Sequence, residues 1–401
     1  MNFIDKLLTF FTGANEYYKT RYIGNNITDL SGEPEFIQIN NKNAYDLMIT
    51  TSELYAPIVR RGLMLSCGEW KHEKMNSKGI IEEVIKSPFV NILENPNPLM
   101  NGNELIRLYD MNMILYGNNY EFVLKPFKNS SPKILNILET NKIEAKITGK
   151  WYKQQDINEI IEYYIYKNGD ENEKLTIEQI NHTKLNNSNN PILGESPLKS
   201  LYMDISNIRA SKKFRNVIMT KEGALGFISN NTKDAIGAVA VAPEDRKRME
   251  DAYVKNYGIE DGKSKIFISD ANLKWNSTAY PIKDMLLFEE VDAGFKKIID
   301  VLGLDENIFS TASTYENKIS SLRNVFQTTI IPLSEELSMN RTKLFGLDGK
   351  NEWLRLDYSN VPVLQENILE KTIANKNKSE SISTLVGSGM TLQEALNIIE
   401  I

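Results

Sequence analysis

The amino-acid sequence predicts an α+β fold, with short strands in the first half and long helices in the second. Runs rich in aromatic and β-branched residues predict the strands, most clearly at 120–124. Apolar residues at spacings of three and four predict the helices, above all between 284 and 345. Of the 401 residues, 41% are hydrophobic and 25% are charged, which supports a packed core and argues against wholesale disorder.

The first half begins with a helical pattern over 44–65. The Asn-Pro-Asn-Pro segment 95–98 predicts a rigid turn, because each proline fixes its own φ and restricts the preceding residue. Asn103 is expected to cap the next helix, which runs to about Tyr116 and ends at Gly117. Strands are predicted at 120–124, 143–147 and 162–166, and a polar loop at 186–191.

The second half opens at Ser196-Pro197, a cap followed by a proline, which predicts a helix to about Met219. A small β-rich insert follows, with strands expected at 223–229, 235–242 and 265–269 and a charged helix from 243. A second long helix, 284–302, has its apolar residues on one face. These residues are Phe288, Val291, Phe295, Ile298 and Leu302.

The longest helical pattern covers 316–345 and contains Pro332. Proline lacks an amide donor and crowds the carbonyl four residues earlier, here that of Thr328, so we expect a kink. A capping box at Thr391 and Glu394 predicts a last short helix.

The chain is acidic, with 47 Lys and Arg against 53 Asp and Glu and a net charge of −6. This balance excludes tight binding of phosphate over the whole surface, so any contact with DNA must be local or allow sliding. The single cysteine, Cys67, cannot form an intrachain disulfide and is expected to be a small buried side chain in a reducing compartment. No signal peptide and no apolar stretch of ~18 residues is present, so we expect a soluble protein.

Catalytic and metal-binding patterns are mostly absent. With two histidines and one cysteine, no zinc site can be assembled, and neither histidine suits a Ser-His-Asp triad. His182 lies in a strand-like stretch, which favours a structural role. The segment 258–264 resembles a phosphate-binding loop, but it is one residue short and stands between a helix and a strand in the wrong order. The acidic pairs at 82–83 and 289–290 favour solvated helix faces over magnesium ligands. We therefore expect no cofactor, no metal and no catalytic residue.

Four short motifs in the sequence resemble motifs of the portal proteins of HK97-like tailed phages. The first joins the 95–98 turn to Leu-Tyr-Gly-Asn-Asn-Tyr at 115–120, and the second is Gly-Glu-Ser-Pro-Leu at 194–198. The third is the helix 288–304, which departs from the family by lacking a proline pair in its Gly-Leu-Asp-Glu ending. The fourth is Ser-Thr-Tyr-Glu-Asn at 313–317, followed by Ile-Ile-Pro-Leu at 330–333.

This resemblance implies a portal fold with an α/β wing, a helical stem, a small β-rich clip, a long kinked channel helix and a short helical crown. The implied segments are the wing 1–195, stem helix 1 at 196–222, the clip 223–282, stem helix 2 at 283–302, the tunnel loop 303–316, the channel helix and return to the wing at 317–362, and the crown 363–401.

The resemblance also implies which residues have a role. Stem packing falls to Phe288, Val291, Phe295, Ile298 and Leu302, and the channel-helix kink to Pro332. The tunnel-loop residues along the DNA channel are Asp305, Glu306, Asn307, Ser310, Thr311, Ser313, Thr314, Tyr315 and Lys318. The clip docking surface is Arg246, Lys247, Arg248, Glu250, Asp251 and Lys255, and the alternative of a merely solvated helix stays open there.

The implied function is that of a ring, usually of twelve subunits, at one capsid vertex of the virion, through which double-stranded DNA is packaged and ejected. The implied partners are further copies of the chain, DNA without sequence specificity, the terminase large subunit, the major capsid protein and a head-completion or adaptor protein, with assembly in the host cytoplasm. Two alternatives remain: a metal-dependent DNA-processing enzyme, which would cleave DNA with divalent metal, and a monomeric adaptor or scaffold protein.

Overall fold

Three small antiparallel sheets and a series of long helices make up most of the described chain. The structure is a computed structural model. It describes residues 39–127, 130–148, 151–154, 156–169, 171–220, 226–230, 233–234, 237–238, 244, 247–248, 251, 273–277, 287–388 and 391.

The predicted first helix is two helices, α1 (Ala44–Thr50) and α2 (Ser52–Leu65). The break lies at Thr51, which is buried and extended (φ −125°, ψ 101°). Arg209 donates to the hydroxyls of Thr50 at 2.7 Å and Thr51 at 3.2 Å, so the break presents two acceptors to a distant helix. A continuous helix was therefore wrong because a tertiary contact favours an extended residue here.

The helices α3 (Pro88–Glu94) and α4 (Gly102–Tyr116) flank the predicted Asn-Pro turn. Asn97 forms this turn by accepting from the amides of Leu99 at 2.8 Å and Met100 at 3.1 Å. The expected cap at Asn103 was wrong by two residues, since Asn101 caps α4. Asn101 and Glu104 form a reciprocal capping box, in which each side chain accepts from the other's amide.

The first sheet joins distant parts of the chain. Strand β1 (Glu69–Met75) pairs with β2 (Ile81–Glu83) on one side. On its other side β1 pairs with a late strand, Glu352–Asp357, from Glu69 opposite Asp357 to Lys74 opposite Glu352. This strand pair brings residues 352–357 back to the first half of the chain.

Two further sheets enclose a common core. One has the order β4 (Ile134–Ile137), β3 (Asn118–Leu124) and β8 (Ile180–Lys184), and the other β5 (Ile143–Ile147), β6 (Ile161–Asn168) and β7 (Glu171–Leu175). A one-turn helix, α5 (Ile157–Ile160), precedes β6. The buried residues of this core are Tyr120, Ile143, Ile161, Tyr164, Leu175, Ile180 and Ile192. The three strands predicted in the first half, at 120–124, 143–147 and 162–166, are confirmed.

The helix predicted from Ser196 begins as a 3-10 turn (Pro197–Leu201), which continues as α6 (Tyr202–Thr220). Its partner is α7 (Leu287–Val301). Between them, the strand β9 (Gly226–Asn230) pairs with β12 (Leu273–Ser277), and β10 (Lys233–Asp234) with β11 (Gly237–Ala238). The predicted strand 265–269 and the phosphate-loop-like segment 258–264 lie outside the described residues.

The longest helical pattern is interrupted near Pro332. It consists of α8 (Tyr315–Val325), one π-helical turn (Phe326–Ile330) and α9 (Ile331–Leu344). The amide of Ile331 bonds to the carbonyl of Phe326, five residues back, immediately before the proline that cannot donate. A widened turn therefore lies directly before Pro332, and the kink expected there stays a prediction.

After α9 the chain adds β13 (Glu352–Asp357) to the first sheet and ends its described part with α10 (Pro362–Gly387). The helix predicted to follow Thr391 lies outside the described residues. None of the described helices combines the length and apolar character needed to cross a bilayer.

Cys67 is exposed, contrary to its expected burial. It follows the end of α2, where its Sγ lies 3.2 Å from the carbonyl of Leu63. The turn that leads into β1 leaves it at the surface, while its neighbours Ser66 and Leu65 are buried.

Candidate functional site: a loop between two helices

The loop 303–316 begins at a glycine that no other residue could replace without strain. Gly303 has φ +69°, and a Cβ there would lie 2.6 Å from Oγ1 of Thr329. The hydroxyl of Thr329, in the π-helical turn, donates to the carbonyl of Gly303 at 2.7 Å. The loop therefore starts against the long helix that follows it in sequence.

Helix α7 ends in a glycine cap that turns the chain into the loop. The amide of Gly303 bonds to the carbonyl of Asp300, and that of Leu304 bonds to the carbonyl of Ile299, both at 3.0 Å. Asp305 then accepts from the amide of Asn307 at 2.8 Å and caps a short 3-10 turn, Glu306–Ile308. These caps fix the start of the loop by hydrogen bonds. They occur in the Gly-Leu-Asp-Glu segment, where the sequence analysis found no proline pair.

Asn307 braces the middle of the loop. Its Nδ2 donates to the buried Ser321 of α8 at 3.1 Å, and its Oδ1 accepts from the hydroxyl of Ser313 at 2.8 Å. The ring of Phe309 packs edge-on against that of Phe295 in α7, with centroids 5.6 Å apart. The loop is thus tied to both flanking helices.

The tip of the loop is exposed and uncharged. Residues 307–315 contain no charged side chain, and Thr311, Thr314 and Tyr315 are exposed, Tyr315 by 78%. Ser310 accepts from the amide of Ala312, and Thr314 caps α8 by accepting from the amide of Asn317. Charge stands beside the tip: Glu306 pairs with Lys296 at 3.1 Å, and Lys318 is half-buried.

Arg61 attaches the end of α7 to the first half of the chain. Its guanidinium bonds both oxygens of Asp110 in α4, at 2.7 and 3.1 Å, and also donates to the carbonyl of Leu302 at 3.3 Å. Arg61 and Asp110 are buried, so this bidentate pair is shielded from water. The residue that precedes the loop is thereby fixed to α2 and α4.

The helices α6 and α7 pack closely at one end. A Cβ at Gly294 would lie 2.8 Å from the side chain of Ile208, so a glycine is needed for this approach. Lys297 bonds Asp204 at 2.7 Å, and Asn207 bonds Glu290 at 2.8 Å. These contacts hold α6 and α7 together as a helix pair.

The five predicted stem-packing residues differ in exposure. Ile298 and Leu302 are buried, Val291 and Phe295 are half-buried, and Phe288 is 57% exposed, with the Arg215 guanidinium 4.9 Å from its ring centroid. The apolar stripe of α7 is therefore buried near the end of the helix and exposed at its start. Within one chain, this end of the stripe offers apolar surface for a contact.

Only part of the predicted clip surface is described. Lys247, Arg248 and Asp251 are helical and exposed, together with Glu244. Arg246, Glu250 and Lys255 lie outside the described residues.

A buried ion pair connects the long helix with the first-half sheets. Arg341 of α9 and Glu121 of β3 form a bidentate pair, one bond of which is 2.6 Å long, and Asn181 donates to Glu121 at 2.9 Å. Burial alone would raise the pKa of Glu121, but the Arg341 charge and these hydrogen bonds outweigh it and lower the pKa. Glu121 is therefore held as a carboxylate, which stabilises the junction only while both partners remain.

His182 has the structural role expected of it. Its Nε2 donates to Oδ1 of Asn118 at 3.0 Å, and its ring stacks on Tyr120 with centroids 4.3 Å apart. Burial, with a smaller contribution from Lys184, lowers the pKa of His182 to about 4. The imidazole is neutral at physiological pH.

The acidic pairs at 82–83 and 289–290 are exposed, as expected. The helix expected for 82–83 was wrong, because this pair lies on β2, whereas 289–290 lies on α7. Among the described residues, no three His, Cys, Asp or Glu side chains come together in a way that could hold a metal ion.

Sequence reasoning missed the residues that hold the loop from outside. Arg61 and Asp110 are 49 residues apart, and Thr329 lies 26 residues after the carbonyl it binds, so no local pattern connects them. A signal for the cap did exist, because a glycine directly after the last apolar helical residue is typical of a helix end.

Known structures define the class of this fold. A chain in the neck of a native gene transfer agent (GTA) particle, computed with C12 symmetry, has a TM-score of 0.55 at 16% identity. The match covers 94% of this chain and 98% of that chain. An HK97 family phage portal protein from Corynebacterium diphtheriae has a TM-score of 0.53 at 9% identity, over 80% of this chain and 96% of that one. The mixed helix and sheet architecture is a portal-like fold.

The sequence carries the family assignment. The family model of the phage portal protein matches residues 66–391. The chain therefore belongs to the phage portal protein family. This confirms the resemblance that the four short motifs indicated. An uncharacterized protein of Rickettsia bellii (strain RML369-C) is 23% identical over 319 residues, which cover 77% of this chain and 78% of that protein. Portal proteins are structural proteins and not an enzyme family.

Proposed function

We propose that twelve copies of this chain form a closed ring whose central channel passes double-stranded DNA at one vertex of a phage or phage-like capsid. The proposal rests on the loop 303–316 in a chain of the portal family. The tip of this loop is uncharged, and hydrogen bonds from Thr329 and Asn307 fix the rest of the loop to the long helix. The C12 symmetry of the related GTA neck supports the subunit number.

The charge distribution supports a conduit. Each phosphate that a cation neutralises adds a salt-dependent attraction, which would resist sliding. A loop tip with hydroxyl groups, one exposed tyrosine and no cation touches DNA by shape and weak contact. The net charge of −6 suits the same role.

In this proposal the segments have the roles expected from the sequence. Residues 1–195 form the wing, 196–222 and 283–302 the stem, 223–282 the clip, 303–316 the tunnel loop, 317–362 the channel helix and return, and 363–401 the crown. The wing meets the major capsid protein, and the clip meets first the terminase large subunit and then a head-completion or adaptor protein. Rings assemble in the host cytoplasm and remain in the virion at the portal vertex.

The loop is tested by adding charge to its tip. Deleting 307–314 would impair packaging, but it would also remove the Asn307 brace and the Thr314 cap. Thr311→Arg with Ala312→Arg is cleaner, because both residues are exposed. We expect unchanged rings and slower packaging that recovers with salt. The matched control is Thr311→Gln with Ala312→Gln, and equal packaging by both variants would contradict the loop's place in the DNA channel.

The clip is tested by charge reversal. Changing Arg246, Lys247 and Arg248 to glutamate should spare the ring and weaken docking of the packaging ATPase, most strongly at low salt, because surface charges steer encounter. Lys376→Glu with Lys378→Glu reverses exposed charges on α10 and serves as the control. Unchanged docking of the clip variant at low salt would place the interface elsewhere.

A further inference from the structure

Two adjacent threonines in the long helix use their hydroxyls differently. Thr328 is exposed and donates back to the carbonyl of Asn324 in its own helix at 2.8 Å. Thr329 is half-buried and donates out of the helix to the carbonyl of Gly303 at 2.7 Å. Only the second hydroxyl connects the helix to the loop.

The bond from Thr329 is one of two side-chain hydrogen bonds to consecutive carbonyls at the end of α7. The last carbonyls of a helix have no partner within it. Here Arg61 donates to the carbonyl of Leu302, and Thr329 donates to that of Gly303, the next residue. The first bond ties the helix end to α2 and α4, whereas the second ties the loop's first residue to the long helix.

The geometry of the π-helical turn affects the direction in which Thr329 points. A π-helical turn holds one more residue than an α-helical turn, so residues before it are rotated relative to those after it. Thr329 lies inside this turn, and its Oγ1 and Cγ2 occupy the space where a side chain at residue 303 would stand. The absence of a side chain at Gly303 therefore leaves room for the side chain of Thr329 in the π-helical turn.

We propose that Thr329 is the positioning residue of the tunnel loop: its hydroxyl makes the loop base move with the long helix as one body. The role of this loop in DNA passage rests on the function proposed above, whereas the coupling of loop and helix does not. A shift of the long helix in the ring would thus change the loop's reach toward the channel axis.

Hydrogen exchange of the full chain, in its native assembly, tests the coupling. The reporter is the amide of Leu304, which bonds the carbonyl of Ile299 at 3.0 Å in the cap beside Gly303. Thr329→Val keeps the shape and removes the donor, so exchange at Leu304 should accelerate about fivefold or more. Thr329→Ser restores the hydroxyl and should restore protection, and the matched control Thr328→Val should leave exchange at Leu304 unchanged.

Three results would overturn the proposal: unchanged exchange at Leu304 in Thr329→Val, equal acceleration in Thr328→Val, or no recovery in Thr329→Ser. A DNA-packaging assay on the same variants separates this proposal from the function proposed above. If Thr329→Val loosens the loop and packaging is unaltered, the coupling stands and the role of the loop in DNA passage is contradicted.

Discussion

At the scale of single residues, the loop depends on a glycine for which both backbone angle and neighbouring atoms exclude a side chain. Gly303 and Gly346 have almost the same φ, +69° and +65°. A Cβ at Gly303 would meet Thr329, whereas a Cβ at Gly346 would have no neighbour within 4 Å. This pair of glycines separates backbone strain from crowding.

We predict that Gly346→Ala costs about 1 kcal/mol of unfolding free energy, from strain alone. Gly303→Ala should cost roughly 2–4 kcal/mol, because Thr329 must also move. Chemical denaturation of both variants measures the difference. Equal costs would mean that the contact with Thr329 is not close in solution.

His182 gives the molecule a pH dependence whose sign follows from its environment. Its pKa is about 4 when folded and near 6.5 when unfolded, so the unfolded chain binds more protons between these values. Stability contributed by the neutral imidazole is present above pH 6.5 and is lost as pH falls toward 4. We predict a loss of ~2 kcal/mol over this window, and a smaller one in His182→Gln. Equal slopes of stability against pH in the two proteins would contradict this assignment.

At the scale of elements, Pro332 accounts for the π-helical turn. In an α-helix its nitrogen would face the carbonyl of Thr328, to which it cannot donate. Pro332→Ala supplies the donor and allows the turn to tighten, which should stabilise the helix and rotate Thr329 away from Gly303. We predict an unchanged or higher melting temperature together with faster hydrogen exchange at Leu304.

The control for this change is Pro362→Ala. Pro362 begins α10, where no amide bond is lost by proline, so its replacement should leave the loop unaffected. If Pro332→Ala preserved the protection of Leu304, the proline would not be what sets the turn.

Sequence patterns predicted most of the described helices and strands, because these depend on neighbours in sequence. The widened turn was not foreseen, since Phe326 and Ile330 lie four apart and fit an ordinary helix. The break at Thr51 and the pairs Arg61 with Asp110 and Glu121 with Arg341 depend on contacts across many residues. No local sequence pattern indicates such contacts. The long-range contacts that fix the loop could therefore be identified only from the structure.

At the scale of the whole molecule, α7 has an apolar stripe whose first residues are exposed to solvent. Phe288 is 57% exposed, while Ile298 on the same helix is fully buried. A closed ring in which a neighbouring copy covers this end would remove apolar surface from water.

We predict that Phe288→Asp weakens assembly while leaving the circular dichroism of the chain unchanged. Phe288→Tyr should still assemble. Sedimentation velocity of both variants measures the effect. Normal assembly of Phe288→Asp would show that this end of the stem lies outside the interface.

The most direct test of the portal assignment is electron cryomicroscopy of the purified full-length chain, with mass photometry on the same sample. The account predicts closed rings, with a mass of ~550 kDa for twelve copies of the 45.8 kDa chain. It also predicts that residues 310–315 of every subunit face the central axis. A chain that remains monomeric at all micromolar concentrations and salts, or a ring whose loops point away from the axis, would contradict it.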